Sequence, residues 1–225
     1  MRNLLFAAVL ITLTGTAISQ QPGKFGPSSV WQPSQSFLAA AHKACDNKAQ
    51  GRRYADCFID QMAGAGAPAD AVSFARAAQN QLHDVAIMTS FSHVGPVDIA
   101  WVVYPIHSPS NFGLLLVNGQ PSIVNAEDLQ ALDQEAMQQS FQFQDVKNQF
   151  PKVGLFTGDR DGQTWPNSQS GPNGGVQFTL GYALRNGCYT CAKAGAALFN
   201  WNFDASGKFT GTSFLGLTPA PLPGQ

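Results

Sequence analysis

The hydrophobic period of this chain changes once, near residue 85, and that change most narrows what it can fold into. Before it, apolar residues recur at helical spacing. Phe37, Ala41, Ala44 and Cys45 follow a cap at Ser34 or Ser36, and Tyr54, Cys57, Phe58 and Met62 form a second stripe. Val72, Ala75 and Ala78 form a third behind Pro68, a residue suited to a first helical turn. Gly51 and Gly64-Ala65-Gly66 separate the three stretches. After the change, residues 85–94, 97–106 and 112–117 are rich in β-branched and aromatic side chains. Gly95-Pro96 and Asn118-Gly119 punctuate them, and Asn118-Gly119 between two apolar runs is the strongest hairpin signal in the chain.

Helices followed by an antiparallel meander argue for an α+β fold rather than a doubly wound sheet. One long helix is expected after a cap at Asn125, with Leu129, Leu132, Ala136, Phe143, Val146 and Phe150 on its apolar face and Pro151 as its stop. Strands are expected at 153–157 and 176–184, and a closing hairpin pairs 197–203 with 208–217 across Asp204-Ala205-Ser206-Gly207. The predicted architecture is one α+β domain over residues 34–218: short N-terminal helices, then a mainly antiparallel sheet with one long helix packed on it. Residues 20–33 form an extended lead-in, and residues 219–225 a Pro-rich tail. The aromatic run Phe199-Asn200-Trp201-Asn202-Phe203 leading to Phe209 resembles the curved sheet ends of cystatin-like and NTF2-like domains, a likeness confined to that hairpin.

Residues 1–19 read as a secretory signal: Arg2 at the start, an apolar run from Leu4 to Leu13, and small residues Ala17 and Ser19 at the cleavage positions. That run is too short for a membrane span, which takes about 20 residues. The expected destination is the periplasm or the external medium, and the missing Asn-x-Ser/Thr sequon suits a bacterial chain. The charge balance excludes other classes of partner. Charged residues make up 12% of the chain, with a net charge of −1 and no basic block to displace counterions from nucleic acid or an anionic surface.

An oxidising destination decides how four cysteines are read. Cys45 and Cys57 lie on the apolar faces of consecutive helices, so a disulfide between them is expected, which leaves Cys188 to pair with Cys191. Cys188-Tyr189-Thr190-Cys191 also fits a thiol-disulfide oxidoreductase, but such motifs open a helix and the residues after it read as strand. Ala192 where haem attachment needs His, and no second Cys or His pair close by, argue against haem and zinc.

Two other groups are candidate sites. If 85–94 and 97–106 pair around Gly95-Pro96, His93 faces Asp98, and His83, Asp84 and His107 gather at the far end as a polar cluster suited to metal or acid–base chemistry. Residues 158–175 form a long Gly- and Pro-rich loop, a candidate binding loop with Asp159, Asp161 and Trp165. Asp159-Arg160-Asp161-Gly162 lacks the closing Glu of a calcium loop and reads as a turn. No catalytic residue, metal or cofactor is assigned. The expected function is a non-enzymatic binding or accessory role toward a protein, peptide or small ligand, with no nucleic acid and no membrane insertion. The alternatives are an oxidoreductase at Cys188 and Cys191, or a metal-dependent enzyme.

Overall fold

The computed structural model describes residues 24–46, 52–106, 112–157 and 166–219. The 1–19 segment, His107, Asp159, Asp161, Trp165 and the last six residues of the Pro-rich tail lie outside them. Three helices come first, α1 (Gln35–Cys45), α2 (Arg52–Gly64) and α3 (Ala69–Leu82). A four-stranded antiparallel sheet follows in the order β1 (Ile87–Ser92), β2 (Asp98–Val103), β3 (Phe112–Val117) and β4 (Ile123–Asn125). After α4 (Gln134–Gln139) and α5 (Phe141–Gln149) comes a second antiparallel sheet. It contains β5 (Val153–Phe156), β6 (Asn167–Ser170), β7 (Val176–Asn186), β8 (Lys193–Phe203) and β9 (Phe209–Pro219). Both β5 and β6 pair with β7.

The elements stack as three layers, helices on the first sheet and the first sheet on the second. Ala41, Cys45, Phe58, Ile59 and Met62 close the helical layer over Val85 and Ile87. Phe74 and Ala78 of α3 reach Met88, Ala100, Val102, Leu115 and Val117 on one face of the first sheet. From its other face Ile99, Leu114 and Leu116 meet Phe178, Leu180, Phe199 and Trp201. Strands β2 and β3 are thus buried on both sides, which explains why they read as nearly unbroken apolar runs instead of alternating ones.

The mixed α+β class of the sequence reading holds, but the single sheet is two sheets and the long helix does not form. Residues 125–150 instead supply the end of β4, a 3-10 turn at Leu129–Ala131, and the short helices α4 and α5. Three side chains cut the segment by capping new starts: Asp128 accepts from Gln130 N, Asp133 from Ala136 N, and Ser140 from Phe143 N. Each offers the backbone a local partner that competes with helix continuation. The 158–175 loop is also shorter than read, since β6 and a 3-10 turn at Pro172–Gly174 occupy part of it.

Two polar pins join the layers. Asn118 holds a left-handed conformation (φ 69°), and its amide donates to Asp98 Oδ2 at 2.7 Å and Phe25 O at 2.9 Å while accepting from Phe25 N at 2.7 Å. The lead-in is tied to the β3–β4 turn this way. That turn also meets the tip between β8 and β9, where Gln120 N donates to Gly207 O and Phe209 N donates to Gln120 O.

A disulfide joins Cys45 to Cys57, tying α1 to α2 across a sequence separation of 12. Closing a loop of that length stabilises by about 3 kcal/mol in the chain-entropy account. The double variant Cys45→Ser/Cys57→Ser is expected to melt about 6–12 °C lower in a thermal scan. A second disulfide joins Cys188 to Cys191. Among the described residues no helix is long and apolar enough to cross a membrane.

Candidate functional site

The β1–β2 hairpin brings some predicted neighbours together. Ser90, Phe91 and Ser92 pair with Trp101, Ala100 and Ile99, and His93 Nδ1 stands 2.8 Å from Asp98 Oδ1 at the turn. Asp98 is 3% exposed and also accepts from Val94 N, Gly95 N and Asn118 Nδ2, which makes it a structural hub of the turn. Beyond a bulge between Met88 and Ser90 the register shifts by one. At that end His83, in a left-handed conformation (φ 60°), is exposed and Asp84 is half-buried.

The group placed near Asp84 is Tyr104, which stands against Glu127, and the sequence reading singled out neither. Tyr104 follows β2 and lies across β3 at Gly113, where a Cβ would stand 2.3 Å from its Cε2 and 3.1 Å from Glu127 Oε2. Only a residue without a side chain leaves room there for the ring and the carboxyl. Burial drives the Tyr104 phenol well above its ordinary range, and the nearby carboxylates of Glu127 and Asp84 push it further. Burial likewise lifts Glu127 from 4.5 to about 7, and its Oε1 is buried with no hydrogen-bond partner among the described residues. Next to it Tyr182 donates to Ala126 O at 2.6 Å and accepts from Trp201 Nε1 at 2.8 Å. Such an acid changes charge near neutral pH. Glu127 was missed because residues 125–127 read as the start of a helix. Among the described residues no three His, Cys, Asp or Glu side chains converge as a metal site.

The second sheet presents a different arrangement. Its inner face is apolar, whereas no described residue of the outer face of β7 and β8 belongs to a hydrophobic cluster. Strand alternation puts Gln177, Thr179, Asn200 and Asn202 on that outer face, because Phe178, Leu180, Phe199, Trp201 and Phe203 point inward. The amides form a ladder across four strands. Gln169 Nε2 donates to Gln177 Oε1 at 3.2 Å, Gln177 Nε2 to Asn202 Oδ1 at 2.8 Å, and Asn202 Nδ2 to Ser213 Oγ at 3.3 Å. Thr179 Oγ1 donates to Asn200 Oδ1 at 2.6 Å alongside. Within the ladder Gln177 and Asn202 each use one N–H and one lone pair, so each keeps a donor and an acceptor for a ligand. The period-2 placement of these amides in 176–184 and 197–203 was the available signal.

The Cys188–Cys191 bond sits between β7 and β8, at the tip of their hairpin. The residues after it enter β8 at Lys193, so the motif does not open a helix. Arg185 Nη1 donates to Cys191 O at 3.0 Å, and its guanidinium lies 5.6 Å from the centre of the Tyr189 ring. No protein-family model, curated protein or solved structure matches this chain.

Proposed function

We propose that this is an exported, non-enzymatic binding protein that takes a neutral, hydroxyl-rich ligand such as a saccharide on the outer face of the second sheet. The observation that carries the reading is the Gln169–Gln177–Asn202–Ser213 ladder. Its carboxamides are held in place by one another, so little side-chain freedom is lost when a ligand arrives. They repeat at the strand spacing of about 4.8 Å, which presents alternating donors and acceptors to an extended ligand. Arg185 and Lys193 are the only charged residues in 176–203, and both lie at the hairpin tip, away from the ladder. An uncharged ligand suits that surface better than an ionic one. The segment 171–175, which was part of the expected binding loop, borders the ladder: a Cβ on Gly171 would lie 3.2 Å from Gln177 Cγ. The two disulfides suit the oxidising compartment that the reading requires.

A panel of neutral oligosaccharides tested by calorimetry checks this directly. The parent chain is expected to bind at least one member. Gln177→Ala/Asn202→Ala is expected to bind it about tenfold or more weakly, a loss of roughly 1.4 kcal/mol or more. Its melting temperature should stay close to the parent's, since both amides are half-buried and lie outside the hydrophobic clusters. Binding to charged oligosaccharides alone, or equal binding by the variant, would refute the assignment.

A further inference from the structure

We propose that Cys188–Cys191 is a thiol–disulfide exchange site at which the hairpin tip oxidises the dithiol of an exported polypeptide partner. The two disulfides of the chain differ in what they do for the fold. Cys45 is fully buried and its bond ties two helices together. Cys188 is exposed, and its bond spans a sequence separation of 3 at a tip that is already closed. Asn186 N donates to Ala192 O, Cys191 N donates to Cys188 O, and β7 and β8 pair from Val176–Phe203 through to Arg185–Lys193. A covalent bond there adds little to a hairpin whose strands are already paired up to the tip, with one bulge at Leu184–Arg185.

The surroundings favour exchange chemistry through charge rather than through a helix terminus. Arg185 and Lys193 flank the tip from the two strands, and the Lys152 side chain lies against Gly187, with its Cβ 3.3 Å from where a Gly187 Cβ would be. Cations next to a thiol lower its pKa, which makes it a better leaving group. Thr190 Oγ1, 3.6 Å from Cys188 Sγ, supplies a hydroxyl beside the exposed sulfur. Tyr189, 45% exposed, and Phe156, whose ring centre is 6.5 Å from that of Tyr189, form an apolar pad for side chains flanking a partner's cysteines.

The step balances within the pair. A partner thiolate attacks Cys188 Sγ, the S–S bond breaks, and Cys191, whose carbonyl accepts from Arg185 Nη1, leaves as a thiolate. The partner's second thiolate then attacks the partner's first sulfur, the S–S bond to Cys188 Sγ breaks, and Cys188 leaves as a thiolate. Two electrons and two protons pass from the partner dithiol to the cysteine pair, one equivalent for each chain, and the partner keeps the disulfide.

The experiment uses the full chain in graded glutathione buffers, with alkylation and mass mapping of each cysteine, followed by a reduced dithiol peptide carrying aromatic residues. Cys188 and Cys191 are expected to open at thiol levels that leave Cys45–Cys57 closed. The reduced pair should react with iodoacetamide with a midpoint at least about one pH unit below the 8.5 of a free thiol. Arg185→Gln/Lys193→Gln should move that midpoint back toward the free value. The peptide should be oxidised in a one-to-one ratio, and Cys188→Ser/Cys191→Ser should abolish this while melting within a few degrees of the parent. Opening only after Cys45–Cys57, a midpoint near 8.5, or a large fall in the double variant's melting temperature would each overturn the proposal and leave the bond a structural staple.

Discussion

Gly119→Ala is expected to lower the melting temperature by about 10 °C. Gly119 lies where the β3–β4 turn of the first sheet crosses the β8–β9 tip of the second. A Cβ there would stand 2.6 Å from Gly207 O and 3.0 Å from Val97 Cγ2, distances that a backbone carbonyl and a buried valine cannot both accommodate. Gly207 has no space to retreat. It holds φ 80°, and a Cβ on it would lie 3.1 Å from Pro96 O. Its turn is braced by Asp204, which accepts from Ser206 N, Ser206 Oγ and Lys208 N. The turns must therefore separate, at the cost of the hydrogen bonds from Gln120 N to Gly207 O and from Phe209 N to Gln120 O. Overpacking costs about 1–3 kcal/mol, and each lost hydrogen bond about 1 kcal/mol. A total near 3–5 kcal/mol gives the expected drop in a chain of this size. Hydrogen exchange locates the damage, because the Gln120 and Phe209 amides should lose protection before those of β7. Unchanged protection at both would show that the crossing does not bear on stability.

Glu127→Gln is expected to reverse sign with pH. In the folded protein Glu127 holds its proton up to about 7, whereas in the unfolded chain it loses it near 4.5. Between those values the folded state binds more protons than the unfolded state, so this group's contribution falls as pH rises. The loss begins above 4.5, is complete above about 7, and amounts to about 3 kcal/mol at 1.36 kcal/mol per pH unit. Glutamine carries no charge at either pH but leaves a buried amide to be satisfied, at about 1 kcal/mol. At pH 8 the variant should be more stable than the parent by about 2 kcal/mol, and at pH 4 it should be the less stable of the two. Urea titrations at both pH values test this. A difference of the same sign and size at both would mean that the acid is not held protonated by its burial beside Tyr104 and Tyr182.

Much of the local structure was legible in the sequence because it rests on short-range chemistry. The helical stripe of α1 ends in a real helix capped by Ser34, whose side chain accepts from Phe37 N. Asn118-Gly119 does mark a hairpin, although the reversal runs from Asn118 to Ser122 with Asn118 N donating to Ser122 O. The cysteine pairing followed from the faces of two helices. The long helix failed because apolar spacing at Leu129, Leu132, Phe143 and Val146 also fits a broken segment. Those side chains all reach the same core, from a 3-10 turn and the helix α5. Periodicity cannot register a break when the apolar face survives it, and the capping roles of Asp128, Asp133 and Ser140 outweighed the pattern.

The sequence by itself determined the three N-terminal helices, most of the strands, which faces are apolar, and which cysteines are close enough to pair. These follow from backbone periods, caps and turn residues acting over a few positions. Tertiary structure alone decided that the strands divide into two stacked sheets, and that Tyr104, Gly113 and Glu127 share one buried corner. It also aligned Gln169, Gln177, Asn202 and Ser213 as a ladder across four strands. Each depends on strand register and layer packing between residues far apart in the chain, where a shift of one position turns a side chain to the opposite face.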